Sequence, residues 1–299
     1  MNADRPKPRR ALAGTMDGEL LNWGFQSAGG TDKATAMSAT TTFVDFALAL
    51  ADAARGVTMA AGTRITAEDK NGGGTFDPVT ESDRAAERAM RAIIEYRHPN
   101  HGISGEEYPE RRARGRYTWS LDPIDGTRSF LCGLPSWTTL IALLDDGEPV
   151  LGIIDAPRLR ERYLGVATGT RLIGDKGETT LSASGCTRLD EARMTTTNPY
   201  LFDPAERIAF DRVRDMTRLT VFGHDAYGYA RLAAGTLDLV IEAGLKPHDY
   251  NALVPVVRGA GGVIGNWSGD GDLSAGQVVA AATQELFDEA VAMLKDAAA

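Results

Sequence analysis

The chain has 299 residues, 43% hydrophobic and 24% charged, which are values of a globular protein rather than of a disordered or fibrous one. Its formal net charge of -9 leaves no basic excess to hold a nucleic-acid backbone, and it suits a protein that collects divalent cations. The two cysteines, Cys132 and Cys186, have no metal-ligand spacing, and no apolar run approaches the roughly 20 residues of a membrane span. Without a signal core, the expected location is the cytoplasm.

Residues 1 to about 40 are rich in Ala, Gly, Ser, Thr and Arg without sustained periodicity. They read as a disordered tail ahead of one folded domain over 41–299, and Met37 is an alternative start. From Thr42 to Met59 the positions Phe43, Ala47, Leu50, Ala54 and Val57 follow a helical spacing and predict an amphipathic helix. The stretch 70–74 is a glycine-rich loop. Thr80-Glu81-Ser82-Asp83 has the form of a helix N-terminal cap, and Ala86, Met90, Ile93 and Ile94 form the stripe of a helix ending near His98-Pro99. Two roles stay open for Asp83: capping partner, or base kept ionised by the helix dipole. Gly105-Glu106-Glu107 follows in a loop, where paired glutamates are ordinarily solvated surface.

Tyr117, Trp119 and Leu121 alternate, so they predict a strand with one buried face that delivers Asp122 to its carboxyl end. Pro123 is expected to end central sheet pairing there. Asp122 and Asp125 then stand on a stiff turn, and Gly126 and Thr127 offer backbone N–H groups with little steric cover. Two carboxylates so close repel unless a cation lies between them, and Mg²⁺ takes oxygen ligands of this kind together with waters and phosphate. Asp-Pro and Asp-Gly are also ordinary turn dipeptides, so this stretch alone leaves a metal-phosphate site and a plain turn both open.

The apolar runs 138–144 and 150–154, joined by Asp145-Asp146-Gly147, predict an antiparallel hairpin, and 162–167 a further strand. Helix and strand alternate beyond. Asp203-Pro204-Ala205-Glu206 combines an N-cap, Pro at the first helical position and an acidic third residue. Strand over 218–222, helix over 226–234 closed by Gly235, and strand over 237–242 follow. Lys246-Pro247-His248-Asp249 precedes a segment at 250–258, then come strands over 263–267 and 277–281 and a terminal helix.

Four stretches therefore stand in order: Asp77-Pro78-Val79-Thr80-Glu81-Ser82-Asp83, Gly105-Glu106-Glu107, Asp122-Pro123-Ile124-Asp125-Gly126-Thr127, and His248-Asp249 ahead of a helix. Together they resemble the inositol monophosphatase family of Mg²⁺-dependent, lithium-sensitive phosphatases. The resemblance implies an α+β fold, a five-layered αβαβα sandwich, two or three Mg²⁺ ions, a small phosphate ester as substrate and a homodimer. It makes Glu106 and the Ile124 carbonyl ligands of a first metal, Asp122 a bridge, and Asp125 and Asp249 ligands of a second. It also places Asp125 and the Gly126 and Thr127 amides on the substrate phosphate, and gives the Thr127 hydroxyl and Asp83 the attacking water.

Gly133-Leu134-Pro135-Ser136-Trp137 and the stretch from Glu242 to Asp249, with Asn251-Ala252-Leu253-Val254-Pro255, are similar to the histidinol-phosphatase branch. That implies hydrolysis of L-histidinol phosphate to L-histidinol and phosphate in histidine synthesis, with Glu242 pairing to the substrate ammonium. His248, Asn251 and the loop 169–185 depart from the family pattern, and Asn251 is expected either on the substrate or on a metal ligand. The alternatives are inositol monophosphate and the 3′-phosphate of a phosphoadenosine nucleotide. A regulatory member without turnover is disfavoured, because every matching position keeps its carboxylate.

Overall fold

The computed structural model describes residues 30–61, 66–69 and 78–299; residues 1–29 of the expected tail and the loop at 70–74 lie outside them. Helix α1 (Gly30–Ala60) begins well ahead of Thr42, so residues 30–40, expected in the tail, belong to a helix. Lys33, Ala34, Ala36, Met37 and Ala39 are strong helix formers that present no regular apolar stripe, and a search for periodicity passes over them. Strands β1 (Ala67–Asp69) and β2 (Pro78–Thr80) form a short antiparallel ribbon. Helix α2 (Glu81–Arg97) opens on the expected capping box between Thr80 and Asp83.

Strand β3 (Gly102–Gly105), of which the sequence places only Gly105, in a loop, pairs parallel with β4 (Tyr117–Asp125). After α3 (Thr127–Leu131) come β5 (Thr138–Asp145), β6 (Glu148–Ala156), β7 (Glu161–Val166), β8 (Gly169–Gly174) and β9 (Gly177–Leu181). Together these form a seven-stranded sheet in the order β3-β4-β5-β6-β7-β8-β9. The β5–β6 turn holds Asp146 at φ 50° and Gly147 at φ 91°, the two positive dihedrals that an Asp-Gly hairpin turn requires. Pro123 interrupts the ladder as expected, but the strand does not end there: the pairing steps from Asp122 opposite Leu140 to Asp125 opposite Thr138. A proline lacks the ladder N–H, and the chain bulges past it and resumes. The loop expected at 169–185 contains the β8–β9 hairpin, whose outer strand is polar and exposed and so carries no apolar alternation.

The second half contributes β10 (Arg193–Thr196), α4 (Pro204–Met216), β11 (Leu219–Phe222), α5 (Asp225–Ala233), β12 (Leu239–Glu242), α6 (Pro247–Tyr250), α7 (Leu253–Gly259), β13 (Val263–Gly265), β14 (Val278–Ala281) and α8 (Gln284–Leu294). Its five-stranded sheet has the order β11-β10-β12-β14-β13, with β10 parallel to both neighbours.

Strand alternation assigns the layers. Trp119, Leu121, Ile141, Leu143 and Ile153 pack against Leu50 and Ala54 of α1 and Met90 and Ile94 of α2. Their neighbours Leu140, Ala142 and Ile154 face the other way, onto α5 and α7, which also cover Val240 and Ala280 of the second sheet. Met194, Leu239, Ile241 and Ala281 close the far side against α4 and α8. Helices α1 and α2, the seven-stranded sheet, α5 and α7, the five-stranded sheet, then α4 and α8 make the expected αβαβα sandwich. Among the described residues no helix is long and apolar enough to cross a membrane.

Helix α7 lies directly on the large sheet because two strand positions lack side chains. A Cβ at Gly152 would fall 2.1 Å from Ala252 O, and one at Gly165 would fall 2.4 Å from Pro255 O. Gly152→Ala is expected to push α7 outward and to destabilise the protein by about 1–3 kcal/mol. Thermal unfolding checks this against Gly115→Ala, whose Cβ meets nothing within 4 Å and whose melting temperature should stay unchanged.

Candidate active site

The bulge at Pro123 and the start of α3 bring the central stretch to the edge of a cleft of about 420 Å³ between the two halves of the chain. Asp122 Oδ1 accepts from the Ile124 amide at 3.0 Å, so the turn folds back on its own carboxylate. Asp249 arrives from α6, the single turn after β12, where its Oδ2 accepts from the Lys246 amide at 2.7 Å. Asp122, Asp125 and Asp249 each place an oxygen within 4.8 Å of the others. Burial, and then the neighbouring carboxylates, push Asp122 and Asp125 well above the usual carboxylate range, and burial raises Asp249 too.

Glu106 lines the same cleft but stands outside that group of three. It follows β3, and its amide donates to Leu121 O at 3.2 Å, so the parallel pairing of β3 and β4 sets its place. Gly126, at φ 79°, and Thr127 also line the cleft, together with Ile124. Asp83 is 1% exposed and lies close enough to Glu106 and Asp122, which line the cleft, for their charges to act on one another. Its Oδ2 accepts from the Thr80 amide at 2.9 Å and the Thr80 hydroxyl at 2.5 Å, while its Oδ1 is buried with no hydrogen-bond partner. Burial, with the Glu106 charge adding to it, raises Asp83 to about 6. Thr127, expected with Asp83 on the attacking water, donates its hydroxyl to Ile124 O at 3.1 Å.

Glu242 ends β12 in the cleft wall. Its carboxylate accepts from the Thr197 amide at 2.6 Å, the Thr197 hydroxyl at 2.9 Å and the Thr196 hydroxyl at 3.2 Å, and burial raises it to about 7. His248 lines the cleft, with Nε2 3.6 Å from Asp249. Asn251 is buried, and its amide donates to Ser120 Oγ at 3.1 Å, tying the turn after α6 to β4. An amide at that depth needs a partner, and the strand supplies it.

Sequence reasoning missed Asp225 and Tyr229. Asp225 is the first residue of α5, left-handed at φ 45°, and its carboxylate occupies the space beside Gly126, where a Cβ would meet its Oδ2 at 2.7 Å. Burial raises it, and the Asp249 charge adds to the effect. The next amide, Ala226 N, donates to Asp125 Oδ2 at 2.8 Å, so the positive end of α5 steadies a carboxylate of the first half. Tyr229, one turn further on the same helix face, lines the cleft and is 1% exposed, and its buried hydroxyl has no hydrogen-bond partner. The sole signal for either was their spacing of four.

The donor set fits a hard divalent cation: clustered carboxylate oxygens, no thiolate, and deprotonation held back by burial and repulsion until a positive charge arrives. A carboxyl group with a raised folded pKa contributes stability that is fully present below its ordinary value and lost as pH rises through the folded one. Asp83, raised from 3.8 to about 6, and Glu242, raised from 4.5 to about 7, place that loss between about pH 4 and pH 7. His101, lowered by burial to about 4, runs the opposite way, so the carboxylate contribution is read as the difference with and without metal. The rise in melting temperature on adding Mg²⁺ to chelator-treated protein should be larger at about pH 8 than at about pH 5. Calorimetric scans at both values check it; an equal rise would remove the carboxylates as the binding groups.

Comparison with known proteins follows the same lines. The inositol monophosphatase family profile matches residues 37–298. The chain is 48% identical over 197 residues to the chloroplastic bifunctional phosphatase IMPL2 of Arabidopsis thaliana, a match spanning 65% of this chain and only 56% of that relative. It is 31% identical over 218 residues to the histidinol-phosphatase of Chlorobaculum parvum, spanning 73% of this chain and 83% of the relative. The structure of an inositol monophosphatase from Zymomonas mobilis superposes with a TM-score of 0.75 at 40% identity, covering 86% of this chain and 99% of that one. An αβαβα sandwich whose two halves close on clustered aspartates, matched along nearly its whole length, makes this chain a member of the inositol monophosphatase family.

Proposed function

We propose that the protein is a Mg²⁺-dependent phosphate monoester hydrolase that converts L-histidinol phosphate to L-histidinol and phosphate. The observation that carries the choice of substrate is the pair of carboxylates, Glu242 and Asp225, that line the cleft in addition to Asp122, Asp125 and Asp249. A leaving group with an ammonium and an imidazole answers two further negative charges, whereas a neutral polyol needs none of them. The likeness to a histidinol-phosphatase supports the same reading. Free Cys132 and Cys186 support a reducing compartment such as the cytoplasm.

Asp122, Asp125 and Asp249, with Glu106 and the Ile124 carbonyl, would hold the cations, which neutralise phosphoryl charge and make a water more acidic. The amides of Gly126 and Thr127 bind the phosphate at the start of α3. Thr127, donating to Ile124 O, holds that carbonyl in its orientation. Asp83 keeps one oxygen fixed by Thr80 and the other unpaired, so it supplies the acceptor for the proton of the attacking water. Glu242 cannot swing away, because Thr196 and Thr197 grip both of its oxygens. An ammonium drawn beside it favours the ionised carboxylate and fixes the leaving group.

Phosphate release from histidinol phosphate, inositol monophosphate and a 3′-phosphoadenosine nucleotide, each with and without Mg²⁺, tests the proposal. Histidinol phosphate should show the highest kcat/KM, and a preference for either other ester assigns the enzyme to that substrate instead. Glu242→Gln should lower kcat/KM for histidinol phosphate by about tenfold to a hundredfold, the worth of one charge-assisted hydrogen bond, and change the inositol ester far less. Asp122→Asn or Asp249→Asn should abolish Mg²⁺-dependent turnover while circular dichroism stays that of the parent. Turnover retained in either variant would take that residue out of the site.

A further inference from the structure

We propose that Glu87 is a positioning residue for Glu106, and that the buried Glu87–Arg91 pair sets how tightly the cleft holds its first divalent cation. The inference rests on the metal-ligand role proposed above for Glu106. Asp122 and Asp125 are part of β4 and Asp249 is part of α6, so their backbones are fixed by regular structure. Glu106 lies just past the end of β3. Whatever holds residues 105–108 therefore decides where its carboxylate stands, against repulsion from Asp122 and Asp249.

Helix α2 supplies that hold. Asp83 and Glu87 are one turn apart on its buried face, and Glu87 is 0% exposed. A carboxylate that deep is tolerated only with partners. One is Arg91, whose Nε donates to Glu87 Oε1 at 2.7 Å; the other is the backbone amide of Glu107, which donates to Oε2 at 2.8 Å. Arg91 extends its second arm to Tyr108 O at 3.0 Å. The pair thus grips an N–H and a C=O on the two residues that follow Glu106. From the other side, the amide of Glu106 itself is bound to Leu121 O.

Gly105 completes the fit: a Cβ there would fall 2.1 Å from Glu87 Oε1, so the carboxylate rests directly on the backbone ahead of Glu106. The loop is clamped on both flanks of one side chain. Partners that orient metal ligands typically change metal affinity about tenfold to a hundredfold when lost.

Magnesium binding by isothermal titration calorimetry, without substrate, is the decisive measurement, made beside kcat and KM at saturating Mg²⁺. Glu87→Gln keeps the shape and the acceptor for Glu107 but loses the charge pair; it should weaken Mg²⁺ binding about tenfold, with kcat recovered in excess metal and substrate KM unchanged. Arg91→Lys, which loses the arm to Tyr108 but keeps the charge, should shift Mg²⁺ affinity the same way by less, and it carries the test if Glu87→Gln does not fold. A loss of thermal stability with Mg²⁺ affinity within about twofold of the parent overturns the proposal, as does a fall in kcat that excess metal does not restore. Glu106→Gln separates the two readings. If it weakens Mg²⁺ binding and Glu87→Gln does not, positioning alone is wrong; if it has no effect, the metal role of Glu106 and the proposal fall together.

Discussion

Repulsion among buried carboxylates is the constraint around which this molecule is built. Asp122, Asp125 and Asp249 hold oxygens within 4.8 Å of one another, and Glu106 and Asp225 add to the field. Left to themselves, such groups would separate or keep their protons. What opposes this is a set of backbone donors aimed at individual oxygens: the Ile124 amide on Asp122, the Ala226 amide on Asp125 and the Lys246 amide on Asp249. Each donor belongs to a turn or helix start, where an N–H has no ladder or helical partner to satisfy first.

That arrangement makes the two halves of the chain depend on one another. Asp125 is fixed by an amide 101 positions away, and the same helix start sets Asp225 against Gly126. Asn251 reaches back to Ser120 over a comparable span. Helices α5 and α7 are the middle layer and share one apolar core with both sheets. On the outer side, buried Asp155 accepts from Arg55 of α1 and from Arg162 of β7, so α1 is tied to the large sheet by charge as well as by packing. The cleft is thus a seam rather than a cavity within one half.

Local rules made much of this legible. The alternation of Tyr117, Trp119 and Leu121 announces the strand that carries Asp122, the Asp146-Gly147 turn takes the dihedrals its residues favour, and both capping boxes, at Thr80 and Asp203, are formed. The elements that went unread share a physical cause. Strand β3 is four residues with glycine at both ends, β10 is a short central strand bounded by parallel neighbours, and β9 is an exposed edge; none needs the alternation that a half-buried strand shows. Helix α1 runs ahead of its apolar stripe for the same reason. Asp225, Tyr229 and Glu87 were invisible because their meaning lies in contacts between distant segments, and a Glu or Asp on a helix is ordinarily surface.

The same contacts show where stability has been given up. Among the described residues four buried polar side-chain atoms lack a hydrogen-bond partner, and two of them, Asp83 Oδ1 and the Tyr229 hydroxyl, belong to the site or its wall. Each such atom costs about 1–3 kcal/mol, which a phenylalanine at 229 would avoid. Burial keeps the Tyr229 phenol protonated, hence a donor, in the field of Glu242, Asp125 and Asp249. Asp225 adds a left-handed backbone that a glycine would adopt without strain. A core selected for stability alone would remove all three features. Tyr229 and Asp225 line the cleft and Asp83 feels the charge of Glu106, so the site keeps polar groups around it at the expense of folded-state stability.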